Sequence, residues 1–267
     1  MHFSQRTTGG AVSGRLLRRA VATAVPVILG ALLVSGCGGA ARPSLETGST
    51  VSLQHHEVAA VRHVRQHPGE SIVATAVRRS VPIYRSPSAR RPFARLSNPT
   101  AIGAPLVFLV QSRREGWEHV YLPIRPDGSM GWIKDRFVSL AWNPYSLQAR
   151  LARHELVLRK EGRVAARFPA AVGRSVLPTP TGRYYIVELL KQPNPHGVYG
   201  PYAFGTSAFS KVLYHFGGGP GQIGIHGTDE GGSIGQSVSH GCIRLRNRDI
   251  VRLAHVLPLG TPITILQ

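Results

Sequence analysis

Short apolar runs separated by turn residues dominate the chain from residue 71 to residue 141. Residues 72–77, 81–84 and 106–110 are apolar enough to predict buried strands, and residues 117–122 alternate with period two, which is typical of a half-buried strand. A Pro-Asp-Gly-Ser turn at 126–129 separates this strand from two further apolar runs at 131–133 and 137–140. Several short strands at this spacing predict a small antiparallel barrel at residues 72–141.

A second β-rich pattern follows the break at Asn143-Pro144. Strands are predicted at 148–151, 155–159, 164–172 and 262–266, and a proline-stiffened loop at 177–181 leads into another strand. Residues 191–210 are rich in Gly, Pro and aromatic side chains, which predicts one long irregular loop. Asn247 is a plausible N-cap for a short helix with Ile250, Leu253, Ala254 and Leu257 on one face. The predicted class is mostly β, with one or two short helices.

The N-terminus has the features of a targeting segment. Arg15, Arg18 and Arg19 precede an apolar run at 20–34, which is too short to span a bilayer comfortably but suits a signal-peptide core. The run ends in Ser35-Gly36-Cys37, which resembles a bacterial lipobox, a signal whose cysteine becomes the lipidated first residue. An ordinary signal peptide or a short anchor with an incidental cysteine is the alternative. Residues 1–37 are therefore expected to be a lipoprotein-type signal peptide and 38–71 a linker.

The charge of the chain restricts its partners. Among 267 residues, 32 Lys and Arg stand against 13 Asp and Glu. This excess favours anionic partners such as a membrane surface, a wall polymer or nucleic acid. We expect no nucleic-acid binding, because no recognition motif accompanies the charge.

Cysteine and histidine chemistry is concentrated between residues 225 and 244. Lipidation of Cys37 would leave Cys242 without an intramolecular partner, which excludes a structural disulfide. His226 and His240 lie near that thiol in sequence, and glycines are dense between them. These ingredients suit a cysteine nucleophile activated by a histidine base, with backbone N–H groups around Gly241 and Cys242 as an oxyanion site. Zinc binding by the same three side chains is conceivable, although the spacing fits no common zinc pattern.

Two resemblances to known families refine this picture. Residues 116–133, with Gly-Trp-Glu-His-Val, a Pro-Asp-Gly turn and Gly-Trp-Ile, resemble bacterial SH3-like domains, which often bind wall peptide or act as spacers in exported enzymes. The blocks Ile225-His226-Gly227-Thr228 and Ser239-His240-Gly241-Cys242-Ile243-Arg244 resemble the signature of YkuD-type L,D-transpeptidases. The segments 179–184 and 260–265 match that family as well. The second resemblance implies a β-sandwich catalytic domain at 144–267, with a catalytic loop under a flap.

The resemblance to the transpeptidases assigns roles to single residues. It implies Cys242 as nucleophile, His226 as general base and the carbonyl of Gly227 as the group that orients the base. It also implies a substrate and oxyanion site formed by Ser239, His240, Gly241 and Arg244, and it calls for no metal or cofactor. The sequence does not identify the side chains that complete the oxyanion site, for which Tyr202 and Tyr214 are candidates.

The family activity supplies the leading functional hypothesis. Such enzymes open the bond between the third residue and D-Ala of a peptidoglycan stem peptide, form an acyl-enzyme and pass the acyl group to another stem as a 3→3 crosslink. The expected setting is the cell envelope, with the protein exported and lipid-anchored on the outer face of the cytoplasmic membrane. The alternatives are an L,D-carboxypeptidase, an enzyme that attaches proteins to the wall, and a non-catalytic wall-binding lipoprotein.

Overall fold

The computed structural model describes residues 69–267, which form β-strands and one α-helix. The predicted mostly β class is confirmed for this part of the chain. The proposed signal peptide, Cys37 and nearly all of the predicted linker lie outside the described residues. The α-helix of the described part is too short to cross a bilayer.

Residues 71–143 contain seven strands. These are β1 (Ser71–Ala76), β2 (Ser80–Ile83), β3 (Ala94–Ser97), β4 (Val107–Arg114), β5 (Trp117–Tyr121), β6 (Met130–Lys134) and β7 (Val138–Asn143). Five of them form an antiparallel sheet in the order β6-β5-β4-β1-β7, and β2 pairs with β3. Ala74, Phe108, Val120 and Ile133 are fully buried in its core. The SH3-like assignment of this region stays a prediction.

Residues 144–267 contain ten strands and the helix. These are β8 (Tyr145–Arg150), β9 (Glu155–Lys160), β10 (Arg163–Pro169), β11 (Val172–Gly173), β12 (Gly182–Lys191), β13 (Tyr202–Phe209), β14 (Gln222–His226), β15 (Ser237–Ser239), β16 (Ile243–Arg244), α1 (Asn247–Val256) and β17 (Pro262–Leu266). Eight form one sheet in the order β10-β9-β8-β17-β12-β13-β14-β16, and β11 pairs with β15. One core collects Phe168 of β10, Ile225 of β14 and Leu253 of α1. Since both ends of the sheet reach this core, the sheet folds round it in a sandwich-like arrangement.

The prediction of one irregular loop at 191–210 is wrong for its second half, which is strand β13 in the interior of the sheet. Gly205, Thr206 and Ser207 interrupt the apolar pattern of this segment, which is why the sequence did not predict a strand. Their polarity is accommodated locally, because Thr206 Oγ1 donates to the carbonyl of Ile223 at 2.7 Å and Ser207 Oγ accepts from the Tyr185 N–H at 3.2 Å. Buried polar groups with such partners cost little.

The loop at 210–221, between β13 and β14, is held by a residue of the N-terminal sheet region, which we define as residues 71–143. The guanidinium of Arg125 donates to the carbonyls of Ser210 at 2.8 Å, Leu213 at 3.3 Å and Pro220 at 3.0 Å. These carbonyls lie at both ends of the loop, so a single side chain closes it. Tyr185 of β12 is a second link between residues 71–143 and residues 144–267. Its buried hydroxyl lies 3.2 Å from the carbonyl oxygens of Val107 and Tyr121.

Candidate active site

Cys242 lies immediately before β16, the strand that pairs in parallel with β14. This register sets Ile225 opposite Ile243 and His226 opposite Arg244, so the thiol and the imidazole approach each other on neighbouring strands. The N–H of Gly224 donates to Sγ of Cys242 at 3.3 Å. Burial raises the pKa of the thiol, while the Gly224 N–H and the charge of Arg244 act in the opposite direction. The resting sulfur is therefore a protonated thiol that needs a base.

His226 has the geometry of such a base. Its side chain is only 4% exposed, and Nδ1 lies 2.6 Å from the carbonyl oxygen of Gly227. A carbonyl only accepts hydrogen bonds, so Nδ1 carries the proton and Nε2 has the free lone pair. Burial lowers the pKa of His226 to about 4, with the Gly227 bond opposing this shift and Arg244 adding to it. The ring is therefore neutral at physiological pH and can accept a proton.

Two glycines keep this arrangement open. A Cβ on Gly224 would lie 3.7 Å from Cδ2 of His226 and 3.8 Å from Sγ of Cys242, so both reactive groups border the space above Gly224. A Cβ on Gly227 would collide with Oδ1 of Asn247. That oxygen accepts from the N–H of Thr228 at 2.8 Å and so fixes the chain next to the imidazole.

The role of Asn247 differs from the sequence prediction. It is the first residue of α1, Arg246 is the N-cap, and no side chain caps the helix. The Asn247 side chain instead accepts a hydrogen bond from the N–H of Thr228 and lies against Gly227. A local N-cap pattern could not distinguish these roles, because the partner lies nineteen positions earlier in the chain.

Hydroxyl groups hold the turn that carries the thiol. Ser239 Oγ donates to the carbonyl of Cys242 at 2.6 Å and accepts from the N–H of Gly241 at 3.1 Å. Thr179 Oγ1 donates to the carbonyl of Gly241 at 2.8 Å. Gly241 itself has a φ of +117°, a backbone conformation that residues with a side chain rarely adopt. Ser239 and Thr179 therefore determine the direction of the Cys242 backbone.

Two cavities meet at Cys242 and His226, with volumes of about 240 and 190 Å³. Tyr199 and Phe216 border both of them. Tyr199 packs edge-on against His226 at 4.9 Å between ring centroids, and Phe216 stacks on His240 at 5.2 Å. Since Phe216 belongs to the 210–221 loop, this loop forms part of the wall around the thiol.

The C-terminal part of the chain, which carries this site, is similar to known proteins. The family model of the L,D-transpeptidase catalytic domain, YkuD, matches residues 144–265. This segment is an L,D-transpeptidase catalytic domain of the YkuD family.

Two of the curated relatives come from Bacillus subtilis. The protein named "Putative L,D-transpeptidase YkuD" is 39% identical over 122 residues, which are 46% of this chain and 66% of that protein. The protein named "Putative L,D-transpeptidase YqjB" is 30% identical over 117 residues, covering 42% and 65%. The chain thus spans just under two thirds of the length of these relatives.

Solved structures also align with this chain. An L,D-transpeptidase from Mycobacterium smegmatis aligns with 61% of this chain and 92% of its own at 18% identity, with a TM-score of 0.38. Bd1075 of Bdellovibrio bacteriovorus aligns with 46% and 48% at 28% identity, also with a TM-score of 0.38. At these TM-scores the assignment of the transpeptidase domain rests on the sequence match.

The structure brings the residues proposed for this transpeptidase domain into one place. Cys242, His226, His240 and Arg244 border one of the two cavities, together with Ser239, while Gly227 and Gly241 support them through the backbone. Arg244 is already paired, since its guanidinium lies 2.6 Å from the carboxylate of Glu230, which is 66% exposed. Among the described residues no group of three or more His, Cys, Asp and Glu side chains is placed to hold a metal ion.

Other functional candidates were missed or misplaced by the sequence. Glu188, Tyr199, Phe216 and Gly224 border the cavities of the transpeptidase domain, although nothing in their local sequence indicates it. Tyr202 and Tyr214, suggested as oxyanion helpers, border neither cavity. Tyr214 instead lies under the guanidinium of Arg125, at 4.7 Å from the ring centroid. Glu188 and Gly224 reach the cavity through the register of their strands, whereas Tyr199 and Phe216 reach it from loops, and the local sequence signals neither.

Proposed function

We propose that this protein is an exported L,D-transpeptidase that joins peptidoglycan stem peptides by 3→3 crosslinks, through a thioester on Cys242. The observation that carries the proposal is a neutral, buried imidazole, oriented by the Gly227 carbonyl, beside a thiol that already accepts a backbone hydrogen bond. A weak nucleophile with an adjacent oriented base is the arrangement that covalent acyl transfer requires.

In the first step Nε2 of His226 accepts the proton of the Cys242 thiol while the sulfur attacks the carbonyl carbon of the third stem residue. The electrons of the carbonyl double bond move to oxygen. The imidazolium then protonates the nitrogen of D-Ala as the C–N bond breaks, which leaves a thioester and free D-Ala. Because the Gly241 N–H is bonded to Ser239, we assign the Cys242 N–H to the oxyanion, a contribution of about 3 kcal/mol.

In the second step an amine of another stem attacks the thioester. His226 takes the proton from that nitrogen and returns it to the departing sulfur, which restores the resting pair. Water in place of the amine would make the protein an L,D-carboxypeptidase, and an amine of a wall-associated protein would make it an attachment enzyme.

Arg244 is proposed to bind a carboxylate of the stem peptide. A guanidinium matches a carboxylate in geometry and charge. Its present partner, Glu230, is exposed and therefore exchangeable at small cost, since exposed ion pairs contribute about 0–1 kcal/mol. The wall formed by His240 and Phe216 would pack against the same ligand.

Anchoring to the outer face of the cytoplasmic membrane is proposed through a lipid on Cys37. The support is the lipobox-like sequence that precedes this cysteine. Expression of the Cys37→Ala variant in a bacterial host should move the protein from the membrane fraction to the soluble exported fraction. The wild-type protein should also incorporate a labelled fatty acid and the variant should not, and a wild-type protein without this label would contradict the lipid anchor.

The decisive experiment uses purified protein, tetrapeptide stems and mass spectrometry. Wild-type protein should release D-Ala and form a dimer of stems, and Cys242→Ala should do neither. Tripeptide without dimer would indicate the carboxypeptidase, whereas full activity of Cys242→Ala would rule out the mechanism. A carbapenem should also add its mass to the wild-type protein at Cys242.

A further inference from the structure

The larger of the two cavities at Cys242 contains one acidic side chain, that of Glu188 on β12. Strand register connects it to the thiol: Glu188 lies opposite Gly205 of β13, and Gly205 lies opposite Gly224 of β14. Gly224 in turn donates its N–H to Sγ of Cys242. Directly opposed residues project from the same face of a sheet, so the carboxylate and the sulfur stand at the two ends of one row.

The two residues between them have no side chains. A Cβ on Gly205 would collide with Oε1 of Glu188, so the carboxylate leans over Gly205 toward the thiol. A Cβ on Gly224 would lie 3.8 Å from the sulfur. With neighbouring strands about 4.8 Å apart, the carboxylate lies roughly 5 to 10 Å from the sulfur. The row is therefore an open trough with a nucleophile at one end and an acid at the other.

The acid has no counter-charge within the described residues. No side chain between residues 69 and 267 forms an ion pair with Glu188, and the lining of its cavity includes neither Arg nor Lys. Burial alone raises the pKa of this carboxyl. The other cavity differs, because it is bordered by Arg244. A half-buried carboxylate without a partner gains most from a ligand that brings a positive charge.

We propose that Glu188 binds the ammonium group at the end of the side chain of the third stem residue, the residue whose carbonyl is attacked by Cys242. This inference rests on the proposed function, since it places that carbonyl at the sulfur. An extended diamino acid side chain carries its amine about 7 Å beyond the carbonyl carbon, by ordinary bond lengths. This reach matches the trough. Glu188 thereby selects donors with a long basic side chain over donors that are neutral at this position.

Binding to an inactive variant tests the proposal without turnover. The probes are a tetrapeptide stem with lysine at the third position, whose side chain ends in an ammonium group alone, and the same stem with that amine acetylated, measured by calorimetry against Cys242→Ser. Acetylation should weaken binding about 10- to 30-fold, as expected for a lost charged hydrogen bond. Adding Glu188→Gln should weaken the free-amine stem equally and leave the acetylated stem within twofold. Glu115→Gln, the same change at an exposed position, should alter neither.

The outcomes separate the two claims. Equal weakening of both stems by Glu188→Gln, or a preference for the free amine that persists in this variant, would overturn the role of Glu188. The role of Glu188 would also be overturned if, in the active enzyme, Glu188→Gln slowed only the attack of the acceptor amine on the thioester. Crosslinked product without preference for the free amine would leave the proposed function standing and remove only this inference. Amine-dependent binding that is lost in Glu188→Gln, without any product from the wild-type protein, would support the ammonium site and count against the proposed function. Alkylation of Cys242 by neutral iodoacetamide in the Glu188→Gln single variant, which keeps the thiol, checks that this substitution leaves the fold intact.

Discussion

Two glutamates, one buried and one half-buried, show how the N-terminal sheet region and the transpeptidase domain use charge differently. Glu118 of β5 is almost fully buried and lies 2.9 Å from the guanidinium of Arg113, on the neighbouring strand. Glu188 of β12 faces a cavity and has no such partner among the described residues. In the first region the charge is neutralised within the fold, and in the second it is left for a ligand. A paired charge is structural, whereas an unpaired charge beside a nucleophile indicates a binding site.

The same contrast holds for the other polar groups. In the N-terminal sheet region Asp127 accepts from the N–H of Phe209, and Arg125 donates to three carbonyls of the 210–221 loop. These bonds support the transpeptidase domain from outside. Inside the domain, polar groups converge on the space between Cys242 and His226. We therefore expect substitutions in the domain to affect chemistry, and substitutions in the sheet region to affect how well the loop is held.

The largest effect is expected from His226→Gln. Glutamine keeps much of the side-chain volume but cannot accept the thiol proton, so the rate of D-Ala release should fall by about 10²- to 10⁴-fold. The stem product assay measures this, and alkylation of Cys242 at high pH, where the thiol ionises without help, confirms that the variant is folded. A decrease smaller than tenfold would mean that another group serves as the base and would weaken the contrast between the regions.

A pH effect on stability of roughly 3 kcal/mol should come from the same residue. The pKa of His226 is lowered from 6.5 to about 4, so the unfolded chain binds more protons than the folded one between these values. The free energy of unfolding should therefore fall as the pH falls from about 6.5 to 4, by roughly 3 kcal/mol in total.

Urea unfolding across this range measures the pH effect, with His226→Gln as the control because it removes this titration. The difference in slope between wild type and variant isolates His226 from the other histidines. Identical slopes would show that the ring is not held neutral in the fold.

A smaller effect, about three- to tenfold on the crosslinking rate, is expected from Arg125→Ala. The change removes three hydrogen bonds to the 210–221 loop, which carries Phe216 to the wall of the cavity. Amide exchange should become faster at 210–221 and stay unchanged around residues 239–242.

Arg90→Ala is the matched control for the loop, since it removes an exposed arginine from the same region. If Arg125→Ala lowered the rate as much as His226→Gln does, residues that hold the loop could no longer be distinguished from residues that take part in the reaction. An unchanged rate together with unchanged exchange would show that other contacts hold the loop.

Local pattern was sufficient for much of the fold and for the centre of the site. Apolar runs and alternation predicted β1, β5, β9 and β17 close to their observed positions. It failed at β13, where Gly205, Thr206 and Ser207 break the pattern while the buried backbone still pairs on both sides. Strand pairing of that kind depends on neighbours far away in the chain.

The sequence by itself determined the reactive pair, because Cys242 and His226 lie in blocks whose residue types and order mark the family. Only the tertiary structure decided which groups surround that pair. Asn247 was predicted to cap a helix and instead holds residues 227–228 in place through a hydrogen bond. Arg125 binds the carbonyl of Ser210, in a loop that begins 85 positions further along the chain. Glu188 reached the cavity through the registers of β12, β13 and β14. Reactive side chains are recognisable from their chemistry, whereas supporting ones are defined by register and packing, which no short stretch of sequence contains.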